Sequence, residues 1–319
     1  MRHLLARYAE CVFWLARYME RAENLARILD VTDTFTRGSG IETAGWLSIL
    51  RLNADEQRFF ATRTRADAAA VIAFYVLDQA NPTSIISTVG MARENARTLR
   101  PLISTEMWTQ LNMFHATLRA MKPADVTRSE LSRLCGRIKE ACQAHAGITD
   151  GTMFRDQSWH FYQLGRYIER ADQTTRLIDI KFDQSQSAGY AAGSAADVAQ
   201  WNAVLRSAAG YHAFRRVHPT GLTPETVTGF LLLNDGFPRS VHLCVRLADD
   251  MLSDLRQRYR LRGGNRVLDL LDELRAVLTT RGVDGIIESG LHEFLDQVQR
   301  MLIDATNETA YDFFGWPRG

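Results

Sequence analysis

Two stretches of the sequence, RYMERAENLARILD at 17–30 and RYIERADQTTRLID at 166–179, carry the same charges at the same spacing. Within both stretches, apolar residues recur at intervals of three and four, which is the pattern of an amphipathic helix. The same spacing continues through most of the chain, whereas alternating runs of β-branched residues bounded by turns are nearly absent. The sequence therefore predicts an all-α fold.

The similarity extends beyond these two stretches. The segment WLSILR, which starts at residue 46, aligns with WNAVLR at residue 201, and FYVLDQANPTSI at residue 74 aligns with FLLLNDGFPRSV at residue 230. The offset is 149 residues for the first pair of helices, 155 for the second and 156 for the third. Because order and spacing are both kept, with a drift that loop insertions would produce, the sequence indicates an internal duplication of roughly 150 residues.

The duplication predicts two similar halves, approximately residues 1–150 and 151–319, within one helical domain that spans 1–319. We expect the halves to form one bundle with pseudo-two-fold symmetry, since antiparallel helices with short connections bury their apolar stripes against one another. Convergent patterning of unrelated helices is the alternative interpretation.

Three helix starts are predicted from capping residues. Thr127 and Glu130 have the spacing of a capping box. Thr223 precedes Pro224, and Asn81 precedes Pro82, so each proline is predicted at the first position of a helix.

A helical wheel at about 100° per residue separates an apolar arc from a charged arc in both repeated stretches. The charged arc of the first stretch comprises Arg17, Glu20, Arg21, Glu23, Asn24, Arg27 and Asp30. The second stretch has Arg166, Glu169, Arg170, Asp172, Gln173, Arg176 and Asp179 at the same positions. The apolar arc changes more between the copies, because Leu25 and Ala26 become Thr174 and Thr175. A solvated surface would be expected to show the reverse.

Three arrangements fit this matched face. In the first, ion pairs join the two copies and hold their register, although desolvation offsets much of the gain in stability. In the second, the face lines a polar cleft in which arginines hold an anionic ligand and a carboxylate with an altered pKa moves a proton. In the third, the face is exposed and its i,i+3 and i,i+4 pairs contribute about 0.2–0.5 kcal/mol each. The sequence leaves the three open.

The cleft interpretation assigns a role to each residue of the face. Glu20 and Glu169 are its catalytic residues. Its substrate- or anion-binding residues are Arg17, Arg21, Asn24, Arg27, Arg166, Arg170, Gln173 and Arg176.

The segments NPTSI and FPRSV contain a second pair of predicted anion sites. In each segment a serine, Ser84 or Ser240, follows a proline near the first turn of a helix, where free N–H groups and the helix dipole favour an anion. Arg239 would reinforce the second of these sites. Farther along the first of these helices, ARENARTLR places Arg93 on a stripe of arginines that is either a solvated edge or a phosphate-binding surface.

Several classes of function lack support in the sequence. The formal net charge is +1, which favours neither a nucleic-acid nor a membrane partner. The four cysteines show no CxxC spacing and are expected to be reduced, and no apolar run reaches the ~20 residues of a membrane span, so we expect a cytoplasmic protein. There is no P-loop and no Glu-x-x-His pair, and we expect neither an intrinsic cofactor nor a metal. Glu288, His292 and Asp296 share a helical stripe that we interpret as an exposed face.

The paired ER helices, together with NPTSI, ARENAR, FPRSV and the terminal YDFFGWP, resemble the bacterial alpha-E family, an α-helical domain named for a repeated Glu-Arg motif. The resemblance covers essentially the whole chain. It marks Glu20, Arg21, Glu169 and Arg170 as the family's Glu-Arg pairs, and it adds Asn81, Ser84, Arg93, Glu94, Asn95, Arg239 and Ser240 from the other motifs.

The resemblance also implies partners. Alpha-E proteins are commonly encoded beside, or fused to, a circularly permuted ATP-grasp amide ligase, and often lie near transglutaminase-like peptidases. This context implies the synthesis of small peptides or amide-linked metabolites, with ATP and Mg²⁺ bound by the partner ligase.

Two hypotheses follow for the function. The chain either catalyses acyl transfer from an acyl phosphate to an amine, or acts as a non-catalytic adaptor or ligand-binding subunit that docks on or stabilises the ligase.

Overall fold

The computed structural model describes residues 4–37, 42–188, 193–219 and 221–318, with the backbone alone for 182–188. Within these residues the chain forms fifteen α-helices and no β-strand, which confirms the predicted all-α fold. None of the described helices combines the length and the apolar content that crossing a membrane requires.

Seven helices precede residue 153. They are α1 (Ala6–Thr36), α2 (Glu42–Leu52), α3 (Glu56–Phe60), α4 (Ala68–Val76), α5 (Ile85–Thr98), α6 (Thr105–Ala120) and α7 (Leu131–Thr152). Eight helices follow. They are α8 (Gln157–Ala188), α9 (Ala195–Ser207), α10 (Tyr211–Val217), α11 (Pro224–Leu233), α12 (Val241–Tyr259), α13 (Asn265–Thr280), α14 (Gly282–Glu288) and α15 (Leu291–Thr309). Two 3₁₀ turns lie between α6 and α7, and a π-helical turn, Ala310–Phe314, follows α15.

The structure confirms one of the three predicted helix starts and contradicts the other two. The start of α11 is confirmed: Pro224 is its first residue, and the Thr223 side chain accepts a hydrogen bond from the backbone N–H of Thr226. The capping box at Thr127 is wrong, because its side chain makes no capping hydrogen bond; a 3₁₀ turn, Arg128–Glu130, leads from it into α7.

The predicted start at Asn81 is also wrong, since α5 begins at Ile85 with Ser84 as its cap. The Asn81 side chain instead closes the preceding turn. Its Oδ1 accepts a hydrogen bond from the Thr83 N–H (3.0 Å), and its Nδ2 donates one to the Phe74 carbonyl (3.2 Å).

Two long helices, α1 and α8, lie at the centre of the fold. Helix α1 also packs on α5 and α7, and α8 also packs on α12 and α15. Contacts between α1 and α8 progress from Leu4 with Gln157 to Asn24 with Gln173, so these two helices run in the same direction. The central pair is therefore parallel, and the antiparallel packing that we expected concerns helices joined by short connections.

A glycine allows the central helices to approach closely. A Cβ on Gly165 of α8 would lie 2.4 Å from the backbone oxygen of Phe13 in α1, a separation that real Cβ atoms essentially never show. The two helix backbones therefore touch one turn before Arg17 and Glu169, and this contact sets the distance across which the repeated charges meet.

The duplication itself is not tested by the helix order and stays a prediction.

Candidate functional site

The two repeated charged faces meet between α1 and α8. Glu169 is fully buried and accepts hydrogen bonds from the Nε of Arg17 (2.6 Å) and from the Nε and Nη2 of Arg21 (2.7 and 3.0 Å). The Glu-Arg motif of one helix thus supplies the arginines that bind the glutamate of the other.

The reciprocal contact has the same form. Glu20 is buried and accepts hydrogen bonds from the Nε of Arg166 (3.2 Å) and the Nε of Arg170 (3.1 Å), and Arg170 adds a second bond through Nη2. Arg239, from the segment before α12, also approaches Glu20 with its Nη1 3.5 Å from Oε2.

These arginines keep both carboxylates ionised. Burial alone would raise the pKa of Glu169, but Arg21 and Arg17 hold it at about 2, below its ordinary value of 4.5. Burial likewise opposes ionisation of Glu20, and Arg170, Arg239 and Arg166 outweigh it and hold the pKa well below the usual range. A carboxylate in this state has little affinity for a proton.

Amide side chains join the helices at the next turn. The Asn24 Nδ2 donates a hydrogen bond of 2.7 Å to the Gln173 Oε1. The Gln173 Nε2 donates in turn to Glu169 (3.0 Å), so the amides extend the network that begins with the ion pairs.

A second pair of carboxylates lies beside the first. Glu23 pairs with Arg27 (2.5 Å) and with Arg239 (2.7 Å), whereas Asp172 pairs with Arg176 (2.8 Å). The Glu20 side of the network thus has one arginine more than the Glu169 side, namely Arg239. The sequence alignment places Thr83, which has no charge, at the position that corresponds to Arg239.

A backbone carbonyl accepts a hydrogen bond from one guanidinium group on each side of the network. The Arg27 Nη1 donates to the Ser207 carbonyl (2.6 Å) at the end of α9, and the Arg176 Nη1 donates to the Leu52 carbonyl (2.7 Å) at the end of α2. These are corresponding positions in the two aligned segments.

We call this network of side chains the central cluster. It contains seven arginines and four carboxylates, namely Arg17, Arg21, Arg27, Arg166, Arg170, Arg176, Arg239, Glu20, Glu23, Glu169 and Asp172. The exposed-face interpretation is wrong for Glu20 and Glu169, both of which are buried. The network has the geometry of the first interpretation, ion pairs that join the two repeated helices.

The two predicted anion-binding serines are used as helix caps. The Ser84 Oγ accepts a hydrogen bond from a backbone N–H of α5 and donates one to the Asp78 carbonyl (2.7 Å). The Ser240 Oγ caps α12 in the same way and donates to the Asn234 carbonyl. Both hydroxyl groups therefore have partners within the chain, and neither belongs to the central cluster.

The three predicted residues of α5, Arg93, Glu94 and Asn95, lie near α6, away from the ion pairs of the cluster. The Arg93 Nε donates to the Asn112 Oδ1 (2.7 Å), and its guanidinium lies 5.4 Å from the centre of the Trp108 ring. Arg93 also pairs with Glu94 (2.7 Å). Asn95 lines a small cleft beside α1.

Sequence reasoning missed several members of the network. Glu23 and Asp172 lie on the repeated charged face, and their shared position could have identified them as site residues. Thr306 of α15, which accepts a hydrogen bond of 2.6 Å from the Arg17 Nη1, gives no such signal because its motif is not repeated.

His292 belongs to a small group of charged residues on another face. Its Nδ1 lies 2.7 Å from the Asp179 Oδ1, and its Nε2 lies 3.8 Å from the Asp296 Oδ2. The three side chains offer possible ligand atoms within 4.8 Å of one another. Because the carboxylates approach different ring nitrogens, the arrangement is that of an ion-pair bridge between α8 and α15. Hydrogen bonding to Asp179 raises the pKa of His292.

Comparison with known proteins identifies the family. A family model described as an alpha-helical domain with a conserved ER motif matches residues 4–314, and the chain therefore belongs to the Alpha-E family. The sequence has a Glu-Arg dipeptide at Glu20-Arg21 and another at Glu169-Arg170, and both lie in the central cluster.

The chain is also similar to uncharacterized proteins of Mycobacterium bovis and Mycobacterium tuberculosis. Each is 24% identical over 291 residues, which is 84% of this chain and 31% of the relative. The chain thus spans about a third of the length of the curated relatives that it matches. No solved structure matches it.

Proposed function

We propose that the chain is a non-catalytic helical subunit that docks on an ATP-grasp ligase and takes part in the synthesis of small peptides or amide-linked metabolites. In this proposal the ligase binds ATP and Mg²⁺, and both proteins act in the cytoplasm. The partner class comes from the family resemblance. The assignment of the chemistry to the ligase and of a non-catalytic role to this chain is based on the geometry of the central cluster.

One observation carries the proposal: Glu20 and Glu169, the carboxylates assigned to proton transfer, are each held by arginines of the opposite helix. A general base works best with a pKa near the operating pH. The pKa of Glu169 is about 2, so this carboxylate would accept a proton from an attacking amine only weakly. The geometry supports a structural role for both residues.

The lengths of the relatives agree with a subunit role. In the mycobacterial proteins the matched region is 31% of a longer chain, so a domain of this kind occurs there together with further sequence. A helical domain that acts on a second protein could be supplied either as a separate chain or within one polypeptide.

Acyl transfer is the second candidate function, and one observation favours it. Arg21 has the most exposed side chain of the seven arginines in the central cluster, at 28%, and its Nη1 has no hydrogen-bond partner among the described residues. In this candidate, an amine attacks the acyl carbon of an acyl phosphate that the ligase supplies, and the bond from that carbon to the phosphate oxygen breaks. Arg21 binds the phosphate, including as it leaves, and Glu169 accepts the proton that the amine loses.

The experiment combines the chain with the ATP-grasp enzyme encoded nearest to it, ATP, Mg²⁺ and pooled amino acids. ADP release and condensation products are followed by mass spectrometry, and complex formation is measured in parallel. Arg21→Gln is compared with Arg176→Gln, a matched control that also removes an arginine paired with a buried carboxylate.

A docking subunit should form a complex with the ligase, and both folded variants should support the same product yield per complex. Acyl transfer would be indicated by an Arg21→Gln variant that binds the ligase but gives no product, while Arg176→Gln remains active. Absence of a complex, together with ligase activity that is indifferent to this chain, would overturn the docking proposal.

A further inference from the structure

A cleft of about 430 Å³ lies beside α1, outside the ion pairs of the central cluster. Tyr18 of α1, Gly90 and Asn95 of α5, and His115 and Arg119 of α6 contribute to its lining. Its volume lies within the range of about 300–1,000 Å³ that is usual for small-molecule sites. The cleft is therefore large enough for a small metabolite.

The polar groups of the cleft have spare hydrogen-bonding capacity. Among the described residues, the Tyr18 hydroxyl, the Asn95 amide and the His115 ring have no hydrogen-bond partner in the chain. Arg119 donates through Nη1 to the Gln79 Oε1 (2.7 Å), which leaves its other guanidinium nitrogens without such a partner. A cleft in which several polar groups converge without partners in the chain can offer them to a ligand.

The charges around the cleft have both signs. Arg119 supplies a guanidinium group, and Glu94, which also lines the cleft, supplies a carboxylate. Glu94 is half exposed, at 52%, and pairs with Arg93 and Arg97 on its own helix. A ligand that carries one group of each sign would match this lining.

The two titratable neutral groups keep their hydrogen-bonding form near neutral pH. Burial raises the pKa of Tyr18, so its hydroxyl keeps its proton and can donate. Burial and the nearby Arg93 and Arg119 lower the pKa of His115, so its ring is neutral and offers one donor and one acceptor.

We propose that this cleft binds a zwitterionic amino acid or short peptide, with its carboxylate on Arg119 and its ammonium group beside Glu94 and the Asn95 Oδ1. The Tyr18 hydroxyl and the His115 ring then bind the remaining polar atoms of the ligand. A guanidinium group suits this role because its planar fork matches a carboxylate. The inference is independent of the docking proposal, since it concerns ligand binding by the chain alone.

Gly90 keeps the cleft open. A Cβ at this position would lie 3.7 Å from the His115 Nε2, which is an ordinary contact, so alanine fits whereas a longer side chain would enter the cleft. The alignment of the two halves places Arg246 at the position of Gly90 and Met251 at that of Asn95. The small and polar lining is thus specific to the first half.

The test uses the whole chain and titrates it with single L-amino acids and dipeptides up to about 10 mM, above a millimolar Kd. Binding is followed by calorimetry and by the ring NMR signals of His115, which His115→Gln identifies. Acetate and inorganic phosphate serve as probes that carry only a negative charge.

We expect saturable binding of at least one zwitterion, with a shift of the His115 signals. Arg119→Gln should weaken binding about tenfold or more, because it removes a charge-assisted hydrogen bond. Gly90→Leu should abolish binding by filling the cleft, whereas Gly90→Ala and the surface control Arg137→Gln should bind as the unchanged chain does.

Three results would overturn the inference. The first is that no zwitterion binds. The second is binding that persists in Gly90→Leu, which would place the ligand elsewhere. The third is that acetate or phosphate binds as tightly as any zwitterion, which would mean that the cleft recognises only a negative charge. None of these results depends on the ligase, so failure here and failure of the docking proposal are distinguishable.

Discussion

The close approach of α1 and α8 at Gly165 gives the sharpest test of how the central cluster is assembled. In Gly165→Ala, the new Cβ would lie 2.4 Å from the Phe13 backbone oxygen and 3.0 Å from its Cδ2. Tolerable contacts begin near 3.4 Å, so the helices must separate by roughly 1 Å, because a backbone oxygen within a helix cannot rotate away.

Three contributions give the expected change in the free energy of unfolding of Gly165→Ala. Overpacking of this kind costs about 1–3 kcal/mol, and a rigid backbone contact belongs at the upper end. The separation also stretches the Arg17–Glu169 ion pair one turn away. A hydrogen bond to a charged group contributes about 1.5–3 kcal/mol, and we expect the stretched pair to lose about half of that contribution. The gain in helix propensity from glycine to alanine offsets about 1 kcal/mol. The expected net loss in the free energy of unfolding is about 3 kcal/mol.

Gly147→Ala is the matched control, because Gly147 lies in the interior of α7 with no atom within 4 Å of its added Cβ. It should stabilise the protein by about 0.5–1 kcal/mol through helix propensity alone. Urea unfolding of both variants, followed by circular dichroism, measures the difference. If Gly165→Ala unfolds at the same urea concentration as Gly147→Ala, the close approach does not hold the helices together as we describe.

Three further predictions concern the buried charged and thiol groups. Glu169→Gln should cost about 3–5 kcal/mol in urea unfolding, because it leaves the buried Arg17 and the partly exposed Arg21 without their carboxylate, whereas Glu94→Gln at an exposed ion pair should stay within about 0.5 kcal/mol. The lowered pKa of Glu169 gives stability that is fully present above its ordinary value of 4.5 and is lost as the pH falls towards 2, and melting curves across this range should record the loss. Burial raises the pKa of Cys244 to about 12 and that of Cys142 well above its ordinary value, so both should react with a thiol reagent only after urea is added.

Each of these predictions has a contrary outcome. Equal unfolding curves for Glu169→Gln and Glu94→Gln would mean that the buried carboxylate is not held by its arginines. A melting temperature of Glu169→Gln that falls with acid as steeply as that of the unchanged chain would assign the pH dependence to other groups. Rapid labelling of Cys142 or Cys244 in the native protein would contradict the packing around α7 or α12.

The sequence predicts the helical class and the two charged faces because both depend on local spacing. A three- and four-residue period places Glu20 on the same face as Arg17 and Arg27 whatever surrounds the helix. The period does not reveal what covers that face. The choice between an ion-pair network and a cleft depended on how closely α1 and α8 approach, which Gly165 decides.

Contacts made by single residues from distant segments were beyond sequence reasoning. Arg239 reaches Glu20 and Glu23 from more than 200 residues away, and the only local sign of it was its place in FPRSV, which we interpreted as a helix-terminal anion site. The cleft beside Tyr18 was missed for the same reason. Its residues His115 and Arg119 belong to no repeated motif, and only the packing of α1, α5 and α6 brings them together.

The exchange of arginines between the two central helices also has a consequence for synthesis on the ribosome. Glu20 and Glu23 are translated well before Arg166, Arg170 and Arg239, which bind them in the folded protein. A nascent chain that carries only α1 to α7 would have to bury Glu20 without these cross-helix arginines, at a cost of several kcal/mol per ion. We therefore expect α1 to stay unpacked in the nascent chain until residue 239 has left the exit tunnel.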